Sequence, residues 1–387
     1  MRRGIVTAFS SVAATGALLA ACSSSPKATS SCTDGFDVLV AASDYTAASK
    51  VGGFTLGGCA ALPYAGIDLG KDPALVAASG RAFFVARDQD LVFELDPKTA
   101  EPIAETSTSD PSYPGYANPQ DVGVASDGAL WVPRFNVPSL LVVPPTHDGG
   151  VPIDLSSQDP DGNPNMSAVA VTTVDGAEKA YVALERLDDV KDAQGNVLVS
   201  RLPSFLARVD VATKTVEATA TLLGRNPFGT IERANEAFYF AAPGNFNDAS
   251  EPAAGIERFD PSTFTSSWLL AEGDLGASVT TVAVNGGCGA AIVADATPNV
   301  NATSLVTFDA IAGKALTTAK NAPLSTSGFD LAGLSWKGDV LAVGDRRPSP
   351  ANGRFPIHLF DRTGACDLTM RPDTIFFDVP PVALRSP

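Results

Sequence analysis

Short apolar runs alternate with turn residues along nearly the whole chain from residue 36 onward. The runs are about five residues long, are rich in Val, Ile, Leu and aromatic side chains, and are bounded by Gly, Asp and Pro. Residues 120–125, for example, precede the turn Ser126-Asp127-Gly128, and the apolar run 129–133 follows it. Paired runs around such a turn are typical of β-hairpins. The pattern therefore predicts an all-β protein with few helical segments.

The predicted strands belong to a repeat, which is marked by an apolar or aromatic residue followed by Asp and a turn. The aspartates of its five clearest copies are Asp96, Asp210, Asp260, Asp309 and Asp361. The last three spacings are 50, 49 and 52 residues, and the first, of 114, spans two repeats, with Pro144 at the corresponding place between them. A period near 50 residues with strands in each unit indicates a propeller. We interpret the aspartates as turn formers that bond to their own backbone.

Seven units can be counted, each with four predicted strands. Their ranges are 36–71, 72–110, 118–157, 166–224, 226–273, 278–322 and 327–380. Four antiparallel strands per unit make one blade, so we predict a seven-bladed β-propeller. The first unit begins at its second strand, and the chain's last segment, from residue 380 to 384, resembles the missing inner strand. We expect the two chain ends to close the ring within one sheet, which removes exposed strand edges.

The repeat resembles the broad YVTN/NHL/SMP-30 group of bacterial propellers, whose units run from an inner strand through an Asp-Gly turn to a strand of the form xVxDxxT. The resemblance covers most of residues 36–384. Propellers of this kind bind proteins, sugars, cofactors or ions, and some are lactonases or quinoprotein dehydrogenases. The resemblance therefore implies a fold and leaves the activity open.

Composition excludes some functions. A chain of 387 residues with 45% hydrophobic and 18% charged residues can bury a large core. The net charge is −16, and without Arg2 and Arg3 there remain 25 basic and 43 acidic residues, a charge of −18. Such a surface repels phosphate groups, so we expect no nucleic-acid partner and no electrostatic docking on anionic lipids.

The first 21 residues have the layout of an export signal, with a charged start and then an apolar, small-residue stretch over 4–21. That stretch is too short and too rich in Ser, Thr and Gly for a membrane span. It ends in Leu-Ala-Ala-Cys, which resembles the lipobox of bacterial lipoproteins, cleaved between Ala21 and Cys22 so that the Cys22 thiol carries a diacylglycerol. The alternative is an ordinary secretory signal whose Cys22 pairs in a disulfide.

The lipobox resemblance divides the chain into a signal peptide (1–21), a lipidated N-terminus with a flexible, disordered polar linker (22–35) and the propeller (36–387). It implies a location in the cell envelope, where membrane lipid is the partner of Cys22 through palmitate-type chains. Two or three acyl chains exceed the marginal anchoring that one provides. Ser23 is not the Asp that retains lipoproteins at the inner membrane of enteric bacteria, so the outer membrane is favoured over the inner.

Four more cysteines follow Cys22: Cys32, Cys59, Cys288 and Cys366. An even number in an oxidising compartment is consistent with two disulfides, for which three connectivities exist. We favour Cys32 with Cys59 and Cys288 with Cys366, because each pair joins neighbouring parts of the repeat. No CxxC motif occurs and the chain has two histidines, so we expect neither a zinc site nor a thiol-redox centre.

Two sets of oxygen side chains are candidate calcium ligands. Asp159, Asp161 and Asn163 alternate around a glycine like the first half of a calcium loop, but residue 170, where an EF-hand needs Glu, is Ala. A solvated turn is the favoured interpretation there. The second set would serve a calcium ion in the central channel, as in lactonase-type propellers. Its members are Asp121, Glu232, Asn235 and Asp330.

Three insertions indicate where a binding face would lie. Residues 188–196, 245–248 and 345–348 each fall between the second and third predicted strands of a blade, so they should emerge on one rim of the ring. Insertions clustered on one face often mark a binding face, and ordinary loop drift is an equally good explanation.

Two function classes remain. The preferred one is a binding or scaffold module for a protein or glycan partner, acting as a monomer without a resident cofactor. The alternative is a calcium-dependent hydrolase or lactonase that uses the channel. The chain has no GxSxG motif, and its histidines, His147 and His358, fall in the third-strand regions of different blades, away from the channel.

Overall fold

The computed structural model describes residues 35–61, 68–187, 202–244, 253–297 and 300–387. Within these residues, strands β1 to β29 form seven sheets, six of four strands and one of five. The prediction of an all-β, seven-bladed propeller is therefore confirmed. Helical structure in the described ranges is limited to three short pieces: helix α1 (Glu272–Leu275) and the 3-10 turns Arg87–Gln89 and Ser156–Gln158.

Each blade is a meander of four antiparallel strands that runs from an inner to an outer strand. Blade 1 contains β29 (Pro381–Arg385), β1 (Val38–Ala42), β2 (Lys50–Phe54) and β3 (Ala60–Ala61). Blade 2 contains β4 (Pro73–Ala78), β5 (Arg81–Ala86), β6 (Leu91–Leu95) and β7 (Pro102–Ser107). Blade 3 contains β8 (Gly123–Val124), β9 (Leu130–Val132), β10 (Ser139–Val143) and β11 (Val151–Asp154). Blade 4 contains β12 (Met166–Val174), β13 (Ala177–Leu184), β14 (Phe205–Asp210) and β15 (Thr215–Thr221).

The remaining blades keep this order. Blade 5 contains β16 (Phe228–Ala234), β17 (Ala237–Ala242), β18 (Gly255–Asp260) and β19 (Thr265–Ala271). Blade 6 contains β20 (Ser278–Asn285), β21 (Cys288–Thr297), β22 (Val300–Asp309) and β23 (Lys314–Ala315), and β24 (Leu324–Ser325) also pairs with β22. Blade 7 contains β25 (Leu331–Lys337), β26 (Val340–Asp345), β27 (Phe355–Thr363) and β28 (Asp367–Phe377).

The ring is closed by the C-terminal strand. β29 pairs antiparallel with β1, with Leu39 opposite Arg385 and Ala41 opposite Ala383. The inner strand of blade 1 thus comes from the far end of the chain, which confirms the expectation from its missing first strand. This pairing also covers the edge of β1 that would otherwise be open to other chains.

The core lies between the blades. Among the described residues, seven clusters of buried apolar side chains can be distinguished, and each joins two adjacent blades of the ring. In the cluster between blades 3 and 4, for example, Trp131 and Leu140 pack with Val182. The middle strands of each blade are therefore buried on both faces, which explains why strands such as β5 and β10 are continuous apolar runs rather than alternating ones.

The two edges of the ring differ. Because the strands alternate in direction, the connections from first to second and from third to fourth strand share one edge, the turn face. The connections from second to third strand and from each outer strand to the next blade share the other edge, the loop face. The insertion 345–348 begins at the last residue of β26 and continues toward β27, so it reaches the loop face. The insertions 188–196 and 245–248 lie outside the described residues.

Four of the five repeated aspartates form turns at the turn face. Asp96 accepts the backbone N–H of Lys98 at 2.7 Å. Asp210, Asp260 and Asp309 accept N–H groups two or three residues further along in the same way. The interpretation of these four as turn formers is confirmed, whereas Asp361 binds the Arg371 guanidinium, with its Oδ1 at 2.7 Å from Nη2.

A disulfide joins blades 6 and 7. Cys288, the first residue of β21, is bonded to Cys366, which lies between β27 and β28, with their Cα atoms 5.0 Å apart. This pair agrees with the favoured connectivity. Cys59 also forms a disulfide, and its expected partner Cys32 lies outside the described residues, as do Ala21, Cys22 and the rest of 1–34.

No helix among the described residues is long and apolar enough to span a membrane.

Candidate functional site

The seven inner strands surround a central channel with a cavity of about 500 Å³. Most of its wall consists of small apolar residues such as Ala77, Gly123 and Val169, since large side chains from seven strands could not share this space. Polar side chains come from five blades. They are Ser79, Asp121, Thr230, Glu232, Arg233, Ser335, Arg385 and Ser386.

Asp121 joins two blades from inside the channel. It precedes β8, and its carboxylate accepts the N–H of Val122 at 2.8 Å and the N–H of Val169, in blade 4, at 3.0 Å. Burial raises the pKa of Asp121 to about 6, although the two N–H donors and the positive charge of Arg385 lower it. The channel therefore contains an acid that changes charge close to neutral pH.

Arg385 supplies a cation beside the channel acids. Its Nη2 donates to the Thr230 hydroxyl at 2.7 Å, and that hydroxyl donates to Glu232 Oε1 at 3.3 Å. Burial raises the pKa of Glu232, and the charge of Arg385 opposes the rise. The C-terminal strand thus brings a guanidinium close enough to Asp121 and Glu232 for its charge to act on both.

The structure brings together two of the four side chains proposed as channel calcium ligands. Asp121 and Glu232 both line the channel. Asn235 lies at the turn face and donates to the carbonyl of Gly286 at 2.7 Å. Asp330 lies at the loop face, with Oδ2 at 3.7 Å from Nε of Arg347. Among the described residues, no group of three His, Cys, Asp or Glu side chains is arranged to hold a metal ion.

The side-chain oxygens of Asp159 and Asp161 accept backbone N–H groups of their own loop, and Asp159 also binds an arginine. The Asp159 carboxylate accepts the N–H of Asp161 at 3.1 Å and Nε of Arg186 at 3.1 Å. Asp161 accepts the N–H of Asn163 at 2.8 Å, and the Asn163 amide donates to the carbonyl of Phe135 at 3.3 Å. A guanidinium therefore provides the positive charge next to Asp159.

Two buried acids flank the crossover between blades 4 and 5. Glu257 on β18 accepts the N–H groups of Leu223 and Gly224 at 2.8 and 2.9 Å, and burial raises its pKa to about 7. Glu185 follows β13. Burial raises its pKa to about 8, although a hydrogen bond from Ser167 lowers it. Neither acid was predicted from the sequence. An acidic residue in or next to an apolar strand was the only sequence feature that marked them.

The two histidines bind carboxylates outside the channel. His147 lies 3.2 Å from Glu94, and His358 lies 3.3 Å from Asp345. Burial disfavours the charged form of Asp345, but the hydrogen bonds from His358 and Arg347 outweigh it and lower the pKa of Asp345 to about 2. Neither histidine lines the channel, in agreement with the sequence analysis.

Large exposed apolar side chains occur at the loop face. Of the eleven among the described residues, six lie there, in loops or at the first residue of an inner strand: Tyr45, Tyr113, Tyr116, Leu223, Phe228 and Phe329. Tyr116 is 61% exposed and Phe329 is 50% exposed. The Arg346 guanidinium lies over the Tyr45 ring, 5.0 Å from its centroid, so a cation is part of this surface.

No protein-family model matches the chain, and no curated protein is similar to it in sequence. Solved structures do match. U3-55K is 10% identical with a TM-score of 0.52, over 79% of this chain and 81% of that one. Apo AztD from Citrobacter koseri is 12% identical with a TM-score of 0.50, over 90% and 97%. The dihydro-heme d1 dehydrogenase NirN in complex with DHE is 12% identical with a TM-score of 0.50, over 91% and 75%. At these identities the likeness shows the propeller fold alone.

Proposed function

We propose that this protein is a lipoprotein of the cell envelope whose propeller binds a protein or glycan partner through the loop face. The six large exposed apolar side chains that the described residues present on that face carry the proposal. Tyr and Phe are enriched at the centres of binding surfaces, because they offer large, rigid contact area. The acylated Cys22 would hold the protein at the membrane, favouring the outer membrane, and the polar linker would space the ring from the bilayer.

The negative charge of the protein limits the kinds of partner that it can bind. With a net charge of −16, the protein repels polyanions at long range and attracts neutral or basic surfaces. We therefore propose an envelope protein with a neutral or basic surface, or an uncharged glycan, as the partner.

Calcium-dependent hydrolysis in the channel has weaker support. Both carboxylate oxygens of Asp121 already accept backbone N–H groups, and Arg385 supplies positive charge beside Asp121 and Glu232. Calcium sites in proteins use six to eight oxygen ligands. The channel offers two carboxylates with a competing cation.

The test is capture of the partner from a detergent extract of the bacterial envelope, quantified by mass spectrometry. The variant Tyr116→Ser/Phe329→Ser removes two exposed rings from the loop face. Ile311→Ser is the matched control, because Ile311 is 69% exposed at the turn face. We expect the double variant to lose the captured partner and the control to retain it. Equal capture by all three proteins, or hydrolysis of a lactone that a calcium chelator abolishes, would contradict the proposal.

A further inference from the structure

A second cavity lies at the turn face between blades 5 and 6. Its volume is about 550 Å³, and it is bounded by Arg258, Ser267 and Leu269 of blade 5 and by the turn 310–313 of blade 6. Arg258 stands opposite Tyr239 in the sheet, and Tyr239 packs in the apolar cluster between these two blades. Directly opposed residues point to the same face of a sheet, so the Arg258 side chain is directed toward blade 6.

The guanidinium of Arg258 has no partner within the described part of the chain. It makes no hydrogen bond or ion pair there and lies over no aromatic ring. Hydrogen bonds from Ser262 and Thr263 lower the pKa of Asp260, and the charge of Arg258 adds to this effect without an ion pair. Arg258 is partly buried, so it loses part of its hydration without a bonded partner in exchange. Its five N–H donors are therefore open to an acceptor from outside the chain.

Charged side chains at the same position of the repeat, two residues before the turn aspartate, do have partners in other blades. Glu94 of blade 2 binds Arg81, with Oε2 at 2.6 Å from Nη2. Arg208 of blade 4 lies 3.1 Å from the Glu217 carboxylate. The Arg208 guanidinium also lies over the ring of Phe264 in blade 5, 4.6 Å from its centroid. A carboxylate and an aromatic ring therefore surround the arginine at this position in blade 4.

The carboxylate partner is replaced in blade 5. Glu217 stands seven residues after the turn aspartate of blade 4, and the residue seven after Asp260 is Ser267. Ser267 is exposed and stands directly opposite Arg258 in the sheet. Its hydroxyl donates to the Arg258 carbonyl at 3.3 Å. An uncharged side chain therefore stands beside Arg258 where the repeat has an acid beside Arg208.

The ring partner is replaced as well. Phe264 lies four residues after the turn aspartate of its blade, where the backbone is left-handed with a φ of 56°. The same position of the blade 6 turn is Gly313, with a φ of 62°. A Cβ atom there would lie 2.8 Å from the carbonyl oxygen of Leu269, which leaves no room for a side chain. The space that a ring fills beside Arg208 is therefore open beside Arg258.

We propose that this cavity binds a small aromatic monocarboxylate, whose carboxylate pairs with Arg258 and whose ring takes the place that Phe264 has beside Arg208. A guanidinium binds a planar carboxylate through two parallel hydrogen bonds. Asp260 and Asp309 begin the turns on either side of the cavity, so one negative charge is favoured over the two of a phosphate. The volume is within the usual range for small ligands, about 300–1,000 Å³. The site lies on the face opposite the proposed partner surface and does not depend on that proposal.

The experiment is a titration of the 15N-arginine-labelled protein, followed by NMR at the Arg258 Nε–H signal, which Arg258→Gln identifies by its loss. The probes are 3-phenylpropanoate, 3-phenylpropan-1-ol and propanoate, which carry a ring with a carboxylate, a ring alone and a carboxylate alone. Their affinities are measured from the ligand signals. We expect 3-phenylpropanoate to bind saturably and to shift the Arg258 signal. Each of the other probes should bind at least about tenfold more weakly, since each lacks one of the two contacts.

Four variants locate the effect. Ser267→Glu restores the acid that Glu217 supplies in blade 4, so it should occupy Arg258 and weaken 3-phenylpropanoate about tenfold. Ser267→Gln is its matched control, with the same length and no charge, and should retain the affinity. Arg258→Gln removes the cation and should bind 3-phenylpropanoate no better than the alcohol. Lys314→Gln removes one positive charge from an exposed residue beside the blade 6 turn, outside the cavity, and should leave the affinity unchanged.

The wild-type titration decides the proposal even if a variant unfolds. An Arg258 signal that does not respond to saturating 3-phenylpropanoate overturns it, and so does equally tight binding of the alcohol. Displacement of 3-phenylpropanoate by an equal concentration of inorganic phosphate assigns the site to anions in general and also overturns it. Among the variants, equal weakening by Ser267→Glu and Ser267→Gln, or by Arg258→Gln and Lys314→Gln, has the same consequence.

Discussion

Asp159 shows how the role of one side chain depends on which cation reaches it. Its spacing from Asp161 and Asn163 matches half of a calcium loop, but the fold brings Arg186 within 3.1 Å of its carboxylate. Arg186 also lies over the ring of Phe205, 3.8 Å from the centroid, so the guanidinium is held on two sides. A local motif could not reveal a partner 27 residues away.

We expect Asp159→Asn to lower the free energy of unfolding by about 3 kcal/mol, because it leaves the buried Arg186 without its counter-ion. Urea denaturation measures the loss. Asp161→Asn is the matched control, since Asp161 is exposed and the amide oxygen can still accept the N–H of Asn163. Millimolar calcium should not change the wild-type midpoint. A calcium-dependent rise that Asp159→Asn abolishes would restore the calcium-loop interpretation.

The buried carboxyl group of Glu257 makes the free energy of unfolding depend on pH. Its pKa is raised from 4.5 to about 7 by burial, so the folded state holds a proton that the unfolded state releases. Its contribution to stability is complete below about pH 4.5 and is lost as the pH rises through about 7. The raised pKa values of Asp121 and Glu185, about 6 and about 8, act in the same direction.

The free energy of unfolding should therefore fall as the pH rises from 5 to 8. Glu257→Gln should flatten this dependence by up to about 3 kcal/mol, since each pKa unit corresponds to about 1.4 kcal/mol. Denaturant titrations across this pH range measure the slope. Glu101→Gln, at an exposed position, is the control and should keep the wild-type slope. A Glu257→Gln protein with that same slope would show that this carboxyl does not carry the effect.

At the scale of elements, β29 determines whether the ring is closed. It pairs with β1, and its Leu384 is completely buried in the cluster between blades 7 and 1. The same strand carries Arg385 into the channel. Closure and the charge balance of the channel therefore depend on five residues at the end of the chain.

Deleting residues 380–387 should lower the melting temperature sharply, because it exposes the edge of β1 and opens the core between two blades. Leu384→Ala alone should cost about 3 kcal/mol of unfolding free energy, as for other buried leucines. Deleting only 386–387 leaves β29 intact and is the control. Thermal unfolding followed by circular dichroism measures all three, and an unchanged midpoint in the longer deletion would exclude ring closure as a source of stability.

At the scale of the whole molecule, we expect the proposed anchor to set location and not stability. Among the described residues, the seven inter-blade clusters provide the apolar core of the ring. Location would come from Cys22 and binding from the loop face.

Cys22→Ser should move the protein from the membrane fraction to the soluble fraction of the envelope and abolish labelling by radioactive palmitate. Its unfolding midpoint should equal that of the wild type, since the substitution lies outside the ring. Ser24→Ala, in the same linker, is the control and should leave fractionation and labelling unchanged. Membrane retention of Cys22→Ser would contradict the anchoring proposal.

The fold was largely predictable because the sequence repeats one four-strand unit seven times. Spacing between turn aspartates such as Asp210 and Asp260 is a local property of the chain, and seven similar units that bury both faces have few ways to pack other than a ring. The missing inner strand of the first unit and the spare apolar strand at the C-terminus even predicted the closure.

The sites were not predictable in the same way. Glu257 and Arg385 stand in ordinary strand sequences, and their properties come from neighbours that are distant along the chain. Burial and cross-blade contacts set the pKa of Glu257, and ring closure places Arg385 near Glu232. The sequence by itself determined the repeat and the blade count, because these depend on local pattern, and the lipid anchor stays a prediction from the sequence. Only the tertiary structure decided which polar groups are buried and which of them have partners, because burial is a property of the closed ring.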